Sequence, residues 1–195
     1  MITLVSLATA PLQPWRNGGG STRELLAWAA AEAKADAWHL RISVAQIAQP
    51  GPFSAFPGVE RWFAVLRGEG VTLRFANRRA LLTPGSEPLR FEGASAPGCE
   101  LLDGATEDLN LMVRHDAGKG AMQRARPGAS WSSSAVWRAV YTLAPATLHI
   151  DGAPAADLPA DTLAWSAAAA DQTWRLQCDD AAAAAWWLQF KPFKP

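Results

Sequence analysis

An all-β architecture, a sandwich or a barrel, is what this sequence predicts. Three observations carry the prediction. Short segments alternate apolar and polar residues with the period of two that a half-buried strand requires. Glycine and proline punctuate them at turn spacing. Helical periodicity is almost absent, and many short strands with such turns point to stacked or closed sheets.

The elements follow in chain order. Met1 to Ala8 reads as a first strand. It lacks the basic start and long apolar core of a signal peptide. Thr22 to Ala37 has helical character, through Glu24, Leu25, Leu26 and the run Ala29 to Lys34. Arg41 to Ile47 alternates, with Arg41, Ser43 and Ala45 on one face and Ile42 and Val44 on the other. Arg61 to Leu66 is nearly continuous in apolar residues. The turn Arg67-Gly68-Glu69-Gly70 leads into Val71 to Phe75, which makes a hairpin. Leu81-Leu82, Arg90-Phe91, Glu100 to Gly104 and Leu109 to Val113 supply further strands. His115 to Gly120 reads as a loop. Strands resume at Ala135 to Leu143, Ala146 to Ile150, Asp161 to Trp165, Trp174 to Cys178 and Ala185 to Phe190. Asp179-Asp180 with the five alanines after it could start a helix by propensity, but the flanking strand patterns favour a hairpin. The break near residues 115–130 divides the chain into two β-units, 1–118 and a smaller 119–195. The Met1–Ala10 strand is a candidate to pair with the second. The ten tryptophans are core anchors in the main, since large aromatics bury the most area per residue.

Composition narrows the function classes. The 195 residues can bury a sizeable core, and 49% are apolar. The 18 basic and 18 acidic residues cancel, so the basic excess of a nucleic-acid binder is missing. The cluster Arg74–Arg79 reads as the solvated end of a hairpin. Cys99 and Cys178 lie far apart without CxxC spacing, which gives neither a disulfide framework nor a zinc ribbon. No run of apolar residues is long enough to span a membrane as a helix. A cytoplasmic protein is the expectation.

Two stretches stand out. In Trp15-Arg16-Asn17-Gly18-Gly19-Gly20-Ser21-Thr22-Arg23-Glu24 the three glycines permit positive φ and close backbone approach. Their N–H groups could cradle an anion, or the segment is a flexible connection. It matches neither GxGxxG nor the Walker pattern. In Gly51-Pro52-Phe53-Ser54-Ala55-Phe56-Pro57-Gly58-Val59-Glu60-Arg61 the prolines and phenylalanines make a rigid, apolar-walled loop with Ser54 and Arg61 toward its ends. The guanidinium fork suits a carboxylate. A structural turn with Arg61 paired to Glu60 or another acid is the alternative.

Four blocks in order, Trp15-x-Asn17-Gly18-Gly19-Gly20-x-Thr22-Arg23-Glu24, Arg41 to Ala45, Gly51-Pro52-Phe53-Ser54-x-Phe56-Pro57-Gly58-x-x-Arg61 and Gly104-x-x-x-Asp108-Leu109-Asn110-Leu111-Met112, resemble the HutD/Ves family. The resemblance covers residues 15–114. It implies a cupin or RmlC-like β-barrel or jelly roll with a second, fused unit. It also implies a link to histidine utilisation, with urocanate or formylglutamate as the intermediate sensed. The Ves branch is linked to stress or cold response, and the three glycines are closer to the HutD branch.

Metal-dependent cupins carry a closely spaced histidine pair, a Glu and a later His. This chain has only His39, His115 and His149, widely separated, so no metal and no other cofactor is expected. No GxSxG elbow appears. The only tyrosine, Tyr141, lies outside the four blocks, so an isomerase with a His base and a Tyr acid lacks support.

The leading expectation is a protein that binds a small anionic metabolite without catalysis, in a pocket of the first unit. Arg61 pairs with a ligand carboxylate and Arg41 adds a second positive charge. Asn17, Ser43, Ser54 and Asn110 supply hydrogen bonds, and Trp15 and Phe53 form apolar walls. Asp108, with Thr22, stands behind these groups and orients the arginines, since a carboxylate facing an anion would repel it. A homodimer through strands is a candidate state. The alternatives are a metal-independent isomerase or hydrolase on a related acid, and a protein-interaction module docking through surface tryptophans such as Trp131 or Trp186.

Overall fold

The computed structural model describes residues 1–29, 38–168, 171–179 and 184–193. Among them the regular elements are strands and two short 3₁₀ turns, Leu7–Thr9 and Gly93–Ser95. The chain forms two units. One comprises Pro11–Gly118. The other comprises Met1–Ala10 with Lys119–Pro195.

Pro11–Gly118 contains two sheets. The larger has the strand order Leu12–Pro14, Gly20–Trp28, Leu40–Ile47, Thr106–Arg114, Val59–Arg67, Leu89–Glu92. The smaller runs Gly51–Pro52, Gly98–Leu101, Val71–Arg74, Arg79–Leu82. All their pairings are antiparallel. Ile47, Phe63, Val65 and Phe91 from the larger sheet bury against Val71, Leu73, Leu82 and Cys99 from the smaller. Residues two apart on a strand share a face, so this core and the wall of any cavity beside it are built from the same rows.

The second unit repeats the strand order. Val59–Arg67 lies between Thr106–Arg114 and Leu89–Glu92, and Trp137–Thr142 lies in the same way between Ala185–Pro192 and Thr162–Ala167. Its smaller sheet runs Ser130–Ser133, Gln172–Gln177, Ala146–Ile150, Ala156–Leu158. Thr3–Ser6 pairs antiparallel with Thr162–Ala167, with Thr3 opposite Trp165. Leu148, Ile150, Trp174 and Leu176 meet Val140, Ala164 and Trp187 in its core, and Trp131 packs against them.

The structure decides for the jelly roll over the barrel and corrects three expectations. The sheets do not close into a barrel. Each unit is a two-sheet, jelly-roll-like sandwich with ladder edges, because the chain passes between sheets through turns instead of extending one ladder around. The segment from Thr22 is a strand, Gly20–Trp28, and not a helix start. A bulge between Glu24 and Leu26 breaks its period of two, and this break is what looks helical in the sequence. Residues 30–37 lie outside the described residues, as do 180–183 of the alanine run. The loop expected from His115 to Gly120 contains the start of a strand, Gly118–Arg124, and Ser130–Ser133 is a further one. Finally, Trp186 is fully buried, so it offers no docking surface. The arginine-rich cluster does sit at a hairpin end: Arg74 pairs with Arg79 across the turn, and both are exposed.

Candidate functional site

The three central strands of the larger sheet set out a grid of side chains. Met112 stands between Arg41 and Arg61 in one cross-strand row, and Asn110 stands between Ser43 and Phe63 in the next. Period two then puts both rows on the same face. That face lines a cavity of about 500 Å³. Two loops complete the lining. Trp15, Arg16 and Asn17 come from one, and Phe53, Ser54 and Phe56 from the other.

Each loop is held through backbone hydrogen bonds. Trp15 donates its N–H to the Gly20 carbonyl at 2.9 Å, and Gly18 donates to the Trp15 carbonyl at 3.0 Å. The indole Nε1 of Trp15 donates to Thr22 Oγ1 at 2.8 Å. Asn17 Oδ1 accepts the Gly19 N–H at 3.0 Å, an Asx turn that locks the glycine run. Two of its amides are therefore spent inside the loop, and its part in the cavity is to aim Trp15 and Asn17. In the other loop Phe53 donates its N–H to the Pro97 carbonyl and Phe56 to that of Gly93, both at 2.9 Å.

Arg61 dominates the electrostatics. Its residue is 7% exposed. Nη2 donates to Asn110 Oδ1 at 2.9 Å. The guanidinium carbon lies 5.0, 5.7 and 5.2 Å from the ring centres of Phe53, Phe56 and Phe91. Nε is buried without a hydrogen-bond partner. Among the described residues no carboxylate pairs with it. Glu60, its sequence neighbour, points to the other face. There it binds Arg90 and accepts from Trp62 Nε1 at 3.0 Å. Burial lowers the Arg61 pKa to about 10, a desolvation cost that leaves the group charged at neutral pH.

Arg41 differs. It lines the same cavity but forms an ion pair with Glu24, its Nε donating to Oε2 at 2.8 Å. Its charge is thereby compensated.

All eight residues expected to contact a ligand, Trp15, Asn17, Arg41, Ser43, Phe53, Ser54, Arg61 and Asn110, line this one cavity. Thr22, expected behind them, both supports Trp15 and reaches the lining. Asp108 does not take the expected role of orienting the arginines. It lies one row beyond Asn110, opposite Ala45 and Val65, and has no exposure. Thr106 Oγ1 donates to its Oδ2 at 2.8 Å, and Oδ1 has no partner. Burial pushes its pKa up to about 7. The residue that orients Arg61 is Asn110. Sequence reasoning passed over Arg16, Phe56, Phe63 and Met112. Strand alternation with Arg61 and Asn110 would have found Phe63 and Met112. The loop residues had no such signal.

The donor set does not fit a cupin metal. His39 packs edge-on against Trp28 at 6.0 Å. His115 Nε2 lies 3.0 Å from Glu92 Oε2 at the surface. His149 stands in the other unit, on Ala146–Ile150. None of the three lines the cavity. Among the described residues no three His, Cys, Asp or Glu groups converge as a ligand set, and no helix is long and apolar enough to cross a membrane.

Known proteins resemble the chain in both sequence and fold. The Protein Ves of Citrobacter koseri is 38% identical over 114 residues, 58% of each chain. An uncharacterised protein in the hutC 3′ region of Pseudomonas putida is 34% identical over 121 residues, 62% of this chain and 59% of the other. The chain thus spans about three fifths of the length of these curated relatives. A solved structure of a conserved protein of unknown function from Pseudomonas aeruginosa superposes over 100% of both chains, with a TM-score of 0.87 and 26% identity. HutD from Pseudomonas fluorescens superposes with a TM-score of 0.83 over 100% of both chains, at 23% identity. An oxalate decarboxylase of Lactobacillus farciminis shares the fold at a TM-score of 0.60 and 11% identity, over 97% of this chain and 86% of the other. The HutD family model matches residues 8–186, so the chain is a cupin-fold protein and belongs to the HutD family.

Proposed function

We propose that the chain binds a small carboxylate on Arg61 and acts as a sensor in histidine utilisation, with urocanate or formylglutamate as its ligand. One observation carries the reading: a buried guanidinium faces a cavity where no acid among the described residues neutralises it, and one of its N–H groups is unmatched. Desolvating a charge is costly unless a partner of opposite sign restores the lost interactions. A carboxylate from outside would do so, in a fork geometry that arginine favours. Asn110 holds the fork, and the rings of Phe53, Phe56 and Phe91 surround it.

The lining favours binding over turnover. Among the described residues its only ionisable side chains are three arginines, and none of these is a proton shuttle near neutral pH. Neither of the nearby buried acids, Asp108 and Glu60, is part of the lining. The histidine-utilisation link comes from the family and from the position of the Pseudomonas putida relative in the hutC 3′ region.

Calorimetry with urocanate, formylglutamate and formate tests the proposal. At least one should bind the wild type. Arg61→Met keeps the stem among the phenyl rings and removes the charge, and it should weaken that ligand about a hundredfold, since truncating a buried charge partner costs roughly 2–5 kcal/mol. Unchanged affinity in a folded Arg61→Met protein, or no binding to the wild type, rejects the reading.

A further inference from the structure

We infer that the cavity takes an elongated diacid, with its inner carboxylate on Arg61 and its outer one on Arg16; this rests on the carboxylate reading of Arg61 above. Among the described residues three cations and no acid line the cavity. They are not equivalent. The pairing with Glu24 removes Arg41 from the account. Two uncompensated charges remain, at different depths: Arg61 is buried and Arg16 is exposed. Among the described residues no acid pairs with Arg16.

An exposed arginine alone means little, because most lie on solvated faces. Two features set Arg16 apart. It lines the same cavity as the buried guanidinium, and its backbone is part of the turn fastened by the Trp15–Gly20, Gly18–Trp15 and Asn17–Gly19 hydrogen bonds. The backbone that carries the charge is therefore held at the cavity.

The rest of the lining bears on the middle of the ligand. Trp15, Phe53 and Phe56 contribute ring surface to the same cavity, which suits an apolar or planar spacer better than a polyhydroxylated one. The space is also ample. About 500 Å³ is within the range of sites for metabolite-sized ligands, and a one-carbon acid would leave most of it unfilled. Because Arg16 is exposed, its attraction for the outer carboxylate is modest and falls with salt. The inner charge, shielded from solvent, is much less sensitive.

Calorimetry decides it, with the linear dicarboxylates malonate to pimelate and monocarboxylates of matched length as probes. Wild type and Arg16→Gln are titrated at low and at physiological ionic strength. One dicarboxylate length should be preferred. It should bind the wild type about tenfold more tightly than its matched monocarboxylate at low salt, which is about 1.4 kcal/mol, and the advantage should shrink as salt is added. In Arg16→Gln the same dicarboxylate should fall to the level of the matched monocarboxylate measured on that variant. Thermal melting confirms that the exposed substitution leaves the fold in place. If monocarboxylates bind in an Arg61-dependent way with no dicarboxylate advantage, or if the advantage survives Arg16→Gln, the inner site stands and the diacid inference fails. If neither class binds, both fail.

Discussion

Asp108 is a carboxylic acid with no exposure, one hydrogen bond accepted from Thr106 and one unmatched oxygen. The ionisable groups that bear on it are Glu107 beside it in the strand and the buried Cys99, whose own thiol is pushed up to about 12. Burial is the largest cause of its shift, and Thr106 offsets only part. In the unfolded chain an aspartic acid titrates near 3.9. In the fold Asp108 titrates near 7. The folded state therefore binds the proton more tightly, and stability falls as pH rises from about 4 to about 7. Above that window the buried carboxylate costs the fold on the order of 4 kcal/mol, at about 1.36 kcal/mol for each pH unit between the two pKa values. Asp108→Asn should be more stable than wild type above pH 7, by up to that order, and should flatten the profile. Urea denaturation of both proteins across the window checks this, and parallel profiles would refute it. Strand parity places Asp108 on the face of Asn110 and Arg61 correctly. It does not say how deep along the strand the cavity ends, and for that reason the acid was expected to orient the arginines when Asn110 does so.

Elements show the same division. In the glycine run the three residues are not interchangeable. A Cβ on Gly20 would stand 2.2 Å from the Gln46 carbonyl oxygen and 3.0 Å from the Trp15 ring. For a Cβ on Gly19 the nearest atoms are those of the Asn17 side chain, at 3.4 Å and beyond. Gly20 therefore sits where the strand and the aiming loop pass closest. Gly20→Ala should destabilise the protein by about 1–3 kcal/mol, the usual range for overpacking, and should weaken ligand binding by displacing Trp15. Gly19→Ala should be near neutral on both counts. Denaturant midpoints and calorimetry on the two variants separate these outcomes. The run itself was conspicuous in the sequence, but whether it cradled an anion or shaped a wall depended on where its N–H groups went. The helical reading from Thr22 failed for a related reason. A bulge adds one residue to one strand only, and it is defined by pairing with another strand, Leu40–Ile47, outside the local window. Alternation served well where strands are regular, as in Leu40–Ile47 and Thr106–Arg114. It failed for Gly118–Arg124, whose small and polar residues carry little apolar signal.

Over the whole molecule, one strand order is used twice with different contents. In Pro11–Gly118 the inner face leaves a cavity beside Arg61. In the other unit the core is filled by tryptophan. Trp131 stacks on Trp187 at 4.9 Å and 3°, and Trp174 meets both edge-on. These rings bury large area and hold defined geometry. Trp187→Ala should cost about 3–5 kcal/mol, the range for removing a large buried aromatic, read as a fall in the denaturation midpoint. A loss below 1 kcal/mol would mean that the stack contributes little to this core.

The sequence by itself determined the all-β class, because side-chain alternation and turn residues act over a few positions and need no partner. It determined the family through four ordered blocks, and a net charge that gives no basic excess. It also marked the residues that gather around the cavity, since strand parity and loop composition are local properties. Only the tertiary structure decided which arginine is compensated. Glu24 and Arg41 are 17 residues apart, and meet because their strands pair. Only it showed that Glu60 turns away from Arg61, that Asn110 holds the guanidinium, and that Arg16 shares its cavity. Burial and pairing are properties of neighbours brought from elsewhere in the chain, and the chemistry of Arg61 follows from them.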